Sequence, residues 1–139
     1  MEKIQLSISL KSVTNSDIKF LFDLLKERDL RVNISHKKMP TYNEHTKFIK
    51  SKPYSKWYII LKSKQKIGSI YLSKNDEIGI FVSKKFQGKN VGNHALNELM
   101  KKNTRKRFLA NVNPKNKKSM EFFKKNGFKL IQYTFEKSR

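Results

Sequence analysis

The sequence predicts an α/β (α+β) domain, with a mixed, mostly antiparallel central sheet flanked by helices in the order βααβββαβαβ. Three observations carry that expectation. Apolar and polar residues alternate near the N-terminus. Three β-rich runs, parted by short polar turns, fill the middle of the chain. Apolar residues recur at helical spacing on either side of them.

Ile4, Leu6, Ile8 and Leu10 alternate with polar residues, as a half-buried strand requires. Thr14-Asn15-Ser16-Asp17 offers helix-start side chains. Ile18, Leu21, Phe22, Leu24 and Leu25 then form a helical stripe to about Arg28. Residues 30–42 lack periodicity and contain Pro40, which predicts a loop. Asn43 to Lys50 predicts a second, shorter helix. Trp57–Leu61, Ile67–Leu72 and Glu77–Val82 read as a meander of three antiparallel strands. Val91, Ala95, Leu96, Leu99 and Met100 give the helix Val91–Lys102 its buried stripe. Phe108–Val112 predicts a short strand. Asn113-Pro114-Lys115-Asn116 introduces a helix over Lys117–Lys125, which Asn126-Gly127 stops. Phe128–Phe135 predicts a last strand. No repeat or low-complexity linker divides the chain, so residues 1–139 are expected to form a single domain.

Ten Phe, five Tyr and one Trp can supply a real core, which argues against disorder. Without cysteine there is no disulfide, thiolate metal site or Cys nucleophile. No run of apolar residues is long enough to span a membrane, and residues 1–10 lack the pattern of a signal peptide. A cytoplasmic location and no membrane partner are therefore expected. His36 and His45 are nine apart and His94 is remote, so no metal is expected. The balance of 32 Lys+Arg against 11 Asp+Glu gives a net charge of +21, a field that attracts polyanions. The lysines are spread along the whole chain and outnumber arginines, which disfavours a nucleic-acid partner reading bases.

The most informative stretch is Glu77 to Met100: a strand, a basic turn with two glycines, and a helix start. Glycines allow a tight turn and close approach of backbone to a ligand. A helix start presents unpaired N–H groups and a partial positive charge. Lys84, Lys85 and Lys89 add full charges. The local physics predicts that a phosphorylated ligand docks here.

That turn, Gln87-Gly88-Lys89-Asn90-Val91-Gly92, resembles the Arg/Gln-x-x-Gly-x-Gly/Ala motif of the GNAT superfamily of acyl-CoA N-acyltransferases, with Asn90 in place of the middle glycine. The segment from Asn113 to Phe128, with Ser119, Phe122, Phe123 and Gly127, is similar to that family's second motif. The resemblance covers nearly the whole chain. It implies acetyl-CoA as acyl donor, its pantetheine arm in a gap between splayed fourth and fifth strands. Phe81 and Val82 would then offer backbone groups to that arm, and an amide near Val82 would polarise the thioester carbonyl. The amides of Gln87, Gly88, Lys89, Asn90, Val91 and Gly92 would hold the pyrophosphate. Asn116, Ser119 and Phe123 would line the cofactor arm.

Direct attack on the thioester requires an amine to lose a proton and the departing thiolate to gain one. Glu77 is the first candidate base and Asp76 the second; strand alternation puts Glu77 on the side of Phe81. Family members often carry a tyrosine as acid at the position of Phe123, which cannot donate a proton. A glutamate found in the fifth strand of some members falls at Asn111. Ser119, Tyr133, Tyr71 or water are the remaining donors.

His36, Tyr42 and His45 lie where this fold shapes its acceptor site. The segment from His36 through Tyr42, Glu44, His45, Phe48 and Ile49 resembles small enzymes that acetylate amino groups of nucleotide-linked sugars. The expected partner is thus a small, phosphorylated amine. A protein N-terminus, as on a ribosomal protein, is the rival acceptor, and a non-catalytic nucleic-acid-binding protein the rival of another class. A final strand left at a sheet edge would also suit a homodimer.

Overall fold

In the computed structural model, which describes residues 7–28 and 38–139, alternation along four strands decides what each face of the sheet receives. The strands are β1 (Ile8–Ser12), β2 (Lys56–Lys62), β3 (Gln65–Leu72) and β4 (Ile78–Val82). They pair antiparallel in the order β1-β2-β3-β4. The helices are α1 (Ile18–Lys26), α2 (Tyr42–Lys50), α3 (Val91–Lys102) and α4 (Lys117–Lys125). None of them is long and apolar enough to cross a membrane.

Tyr58, Ile60, Ile70, Leu72 and Ile78 point to one face and bury Val91, Ala95, Leu96 and Leu99 of α3. A bulge at Ile60/Leu61 leaves Ile67 outside the register and turns it into the same cluster, fully buried. Ile59 points to the other face, against Ile18 and Leu21 of α1 and Ile49 of α2. Each fully buried Ile or Leu contributes roughly 1.5–3 kcal/mol, so the α3 face holds most of the stability.

Helix starts follow local chemistry. The Thr41 hydroxyl accepts from Glu44 N at 3.1 Å and Glu44 Oε1 accepts from Thr41 N at 2.8 Å, a reciprocal cap on α2. These bonds hold the Glu44 carboxyl below its usual range. Asp17, in the 3-10 turn before α1, is fully buried between Lys11 at 2.5 Å and Lys66 at 2.7 Å. Burial alone would raise its pKa, but bonds from Lys11, Lys66 and Thr14 N pull it down to about 2.

Two expected strands are corrected. Phe108–Val112 forms no ladder: it makes a single parallel bridge, Leu109 with Glu77. Leu109 N donates to Asp76 O and Ile78 N donates to Leu109 O, at 2.8 and 2.7 Å, and no further backbone bond joins the two segments among the described residues. Phe128–Phe135 is also not a strand. Gly127 turns the chain at φ +88 and Phe128 packs on the α3 core, but the following backbone meets no sheet edge among the described residues. Leu130, Ile131, Tyr133 and Phe135 are exposed there. At the N-terminal end the strand runs Ile8–Ser12, later than expected, and Ile4 and Leu6 lie outside the described residues.

Candidate active site

Pairing stops after the Glu77–Leu109 bridge, which leaves one edge of β4 without a partner strand among the described residues. In an antiparallel pair, alternate residues bond to the partner and the others turn their N–H and C=O to the opposite edge. Ser73 N donates to Glu77 O and Ser83 N to Ile67 O, so the odd-numbered residues of β4 face β3. Ile78, Ile80 and Val82 face the other edge, where Ile78 N meets Leu109. Past Ile78 no strand covers that edge among the described residues. Phe81, expected to offer backbone groups, has them turned to Ser69 instead; Ile80 and Val82 present theirs to the gap. Gln87 Nε2 donates to Val82 O at 2.7 Å, which leaves the Val82 N–H as the outward donor at the strand end.

The chain leaves β4 through a 3-10 turn, Lys84–Phe86, and an exposed segment from Gln87 to Asn90. Gly88 has φ +78 and nothing would obstruct a side chain there, so its need for glycine is conformational. Asn90 takes φ 61, the left-handed angle that asparagine tolerates better than most residues, and its side chain does not cap α3. The first N–H groups of α3, from Val91, Gly92 and Asn93, are thus directed at the turn without an internal acceptor. Lys85 and Lys89 are exposed beside them. Gly92 also serves packing: a Cβ there would lie 2.9 Å from the Phe122 ring, so glycine lets α3 approach α4. On α4, Asn116 Oδ1 accepts from Ser119 N at 3.2 Å and caps the helix. Phe123 is buried between the Phe122 and Phe128 rings, both 5.1 Å away between centroids, as part of the core.

Glu77 and Asp76 part company. Asp76 stands at φ 67 with its carboxylate in an ion pair with Arg105 at 2.6 Å. Arg105 also reaches Ser73 O and Ser55 Oγ, so this cluster fastens the β3–β4 turn. Glu77 instead accepts from Ser73 Oγ at 3.3 Å and from Asn111 Nδ2 at 2.6 Å, spanning the mouth of the gap.

On the opposite side of β4 lies a cleft of about 100 Å³. Helices α1 and α2 form its walls through Leu21, Leu24, Arg28, His45 and Phe48. Trp57, Ser69, Tyr71 and Phe81 form its floor, because Trp57 pairs with Tyr71 and Ser69 with Phe81 in register. Tyr71 lies flat across Gly79, where any Cβ would collide with its ring and hydroxyl. Tyr54 stacks on it with centroids 3.7 Å apart and planes 3° from parallel. Burial pushes the phenol pKa of both tyrosines up. Burial also lowers that of Arg28, whose guanidinium lies 5.6 Å from the centre of the Phe81 ring.

Arg28 is held there by its neighbour. Glu27 accepts from Ser83 Oγ at 3.0 Å and Lys84 N at 2.9 Å, tying the end of α1 to the end of β4. Of the expected acceptor residues, His45 enters the cleft. Tyr42 is largely exposed and packs edge-on against Phe22 at 5.1 Å, and His36 lies outside the described residues. Sequence reasoning does not find Arg28, Tyr54, Trp57 or the side chain of Phe81 as parts of the site. Two signals point to them. Strand alternation groups Trp57, Tyr71 and Phe81 on one face, and Gly79 beside Tyr71 is the mark of a ring laid across a strand. Among the described residues no three side chains of the metal-binding types cluster.

Comparison with known proteins meets this geometry. The family model of the acetyltransferase (GNAT) domain matches residues 8–129. Among solved structures, a domain from Methanocaldococcus jannaschii DSM 2661 superposes with a TM-score of 0.81 at 23% identity, covering 95% of this chain and 94% of that one. RimL, a ribosomal L7/L12 alpha-N-protein acetyltransferase in complex with coenzyme A, gives 0.75 at 17% identity, covering 94% and 84%. A chimera of the spermidine N-acetyltransferase SpeG from Vibrio cholerae and hSSAT gives 0.69 at 15%, covering 86% and 79%. A search of curated proteins finds no match. The family match over 8–129, with the uncovered edge of β4 and the uncapped start of α3, places this chain in the GNAT family as an acyl-CoA-dependent N-acetyltransferase whose donor is acetyl-CoA.

Proposed function

We propose that the chain acetylates a primary amine that enters the aromatic cleft, and that the acceptor is a phosphorylated small molecule, an amino group of a nucleotide-linked sugar. One observation carries the reading: among the described residues no carboxylate lines the cleft, whereas Arg28 does. A polyamine would need acidic partners there, and a phosphorylated acceptor is suited by a cationic wall and a net charge of +21.

Acetyl-CoA supplies an activated thioester. The open groups of Ile80 and Val82 pair with its arm, and the first amides of α3, with Lys85 and Lys89, receive its phosphates. Phe81 joins the two halves of the site: its side chain floors the cleft, and its neighbours face the donor gap. The Val82 N–H stabilises negative charge that develops on the carbonyl oxygen, an effect worth about 3–4 kcal/mol in oxyanion holes. Glu77, on the cleft side of β4, takes the amine proton. With Phe123 unable to act, Ser119, Tyr71 or water returns a proton to sulfur.

A second reading, acetylation of a protein N-terminus, draws on the fold shared with RimL. A thiol-release assay with acetyl-CoA against nucleotide-linked amino sugars, N-terminal peptides and spermidine separates them. Release with the sugars is expected. Release with peptides alone transfers the assignment to the second reading, and release with spermidine alone contradicts both.

A further inference from the structure

Arg28 is a half-buried cation on the wall of the cleft. Its guanidinium lies over the Phe81 ring, in a cleft that Leu24, Leu25, Tyr54 and Tyr71 also line. Among the described residues no acidic side chain pairs with it; the adjacent Glu27 is committed to Ser83 and Lys84. A charge taken partly out of water is costly unless an opposite charge and hydrogen bonds offset the loss. Arginine also presents a planar fork of donors that matches a carboxylate or phosphate. The Phe81 face carries the cation, and the stacked Tyr54 and Tyr71 line the same cleft.

Resting on the acetyl-transfer reading above, we propose that Arg28 is the specificity anchor of the acceptor cleft: it pairs with an anionic group, carboxylate or phosphate, carried by the amine. The anion end of the acceptor lies at the α1 wall, and its body lies on the aromatic floor. Its amino group then points along Phe81 toward the open edge of β4. Amines without an anion leave the guanidinium unpaired and bind poorly. Polycationic amines are repelled. The Glu27 tether sets where the anchor stands relative to Val82, so the spacing between anion and amine becomes the selected feature of the acceptor.

Trp57, the sole tryptophan of the chain, lines the same cleft, so its fluorescence reports occupancy without turnover. Two matched pairs serve as probes: glucosamine 6-phosphate against glucosamine, and phenylalanine against phenylethylamine. Each is titrated into the full chain with coenzyme A present and is also assayed by thiol release from acetyl-CoA. In at least one pair the anionic member should bind and react better by about tenfold or more, the scale of a charge-assisted hydrogen bond. The pair that discriminates identifies the anion as phosphate or carboxylate. Arg28→Met should bring both members of the discriminating pair to the same affinity and rate, and Arg28→Lys should restore part of the preference. Equal treatment of both members in both pairs overturns the anchor, as does a preference that survives Arg28→Met. Thiol release without discrimination would retain the acetyl-transfer reading and discard the anchor. Arg28-dependent binding with no thiol release from any amine would do the reverse.

Discussion

Asn111 Nδ2 donates to Glu77 Oε2 at 2.6 Å, across the point where β4 and the 108–112 segment part. The bond fixes one carboxylate oxygen at the mouth of the donor gap. Glu77→Gln keeps the shape and the bond to Ser73 but cannot accept a proton. Turnover should fall by about a hundredfold or more with coenzyme A affinity unchanged, as loss of a general base implies. Asn111→Asp puts a second carboxylate against the first, so the acid limb of the rate profile should move to higher pH. Stopped-flow or steady-state thiol release over pH reads both. Asp76→Asn, by contrast, should lower stability and leave turnover near normal, since Asp76 is engaged by Arg105.

The two glycines of the turn should fail differently. Gly88→Glu has room but adds negative charge where the diphosphate belongs, so coenzyme A affinity should fall more than about tenfold, with about 1–2 kcal/mol lost to the left-handed angle. Gly92→Ala presses on Phe122 and should cost about 1–3 kcal/mol of stability through overpacking. Asn90→Gly should retain affinity, because glycine adopts φ 61 without strain. Calorimetric titration and denaturant melts distinguish the three.

Gly79→Ala should damage the acceptor side alone. The added methyl collides with the Tyr71 ring, which must leave its stack with Tyr54. KM for the amine should rise about tenfold or more while coenzyme A affinity holds, since the backbone edge of β4 is untouched. An equal loss in both constants would contradict this separation.

The buried Asp17 makes stability depend on acid. Its carboxyl titrates at about 2 in the fold against 3.8 when free, so on acidification the unfolded chain takes the proton first. The stabilisation, about 2 kcal/mol, is full above pH 4 and lost as pH falls toward 2. Asp17→Asn should be less stable than wild type at pH 7, and the difference should shrink below pH 4. Urea melts at several pH values measure it.

Helices α3 and α4 are legible in the sequence to the residue, Val91–Lys102 and Lys117–Lys125, because stripe, start and stop all lie within one short segment. The fifth and last strands are not, because strand formation depends on an edge supplied from elsewhere in the chain. The left-handed turn at Gly88 and Asn90 before α3 can be read from local chemistry alone. The acceptor cleft cannot: Arg28, Tyr54, Tyr71 and Phe81 converge only through the register of three strands and the seating of α1. Local chemistry reads Gly92 only through its amide; that its Cα also packs on an aromatic ring of another helix follows from the fold.

Glu27 grips Ser83 and Lys84, and the next residue along the chain lines the cleft. The turn proposed for the donor and the wall proposed for the amine therefore hang on a common pin. Any change that moves Ser83 or Lys84 pulls on Glu27, one peptide unit from Arg28.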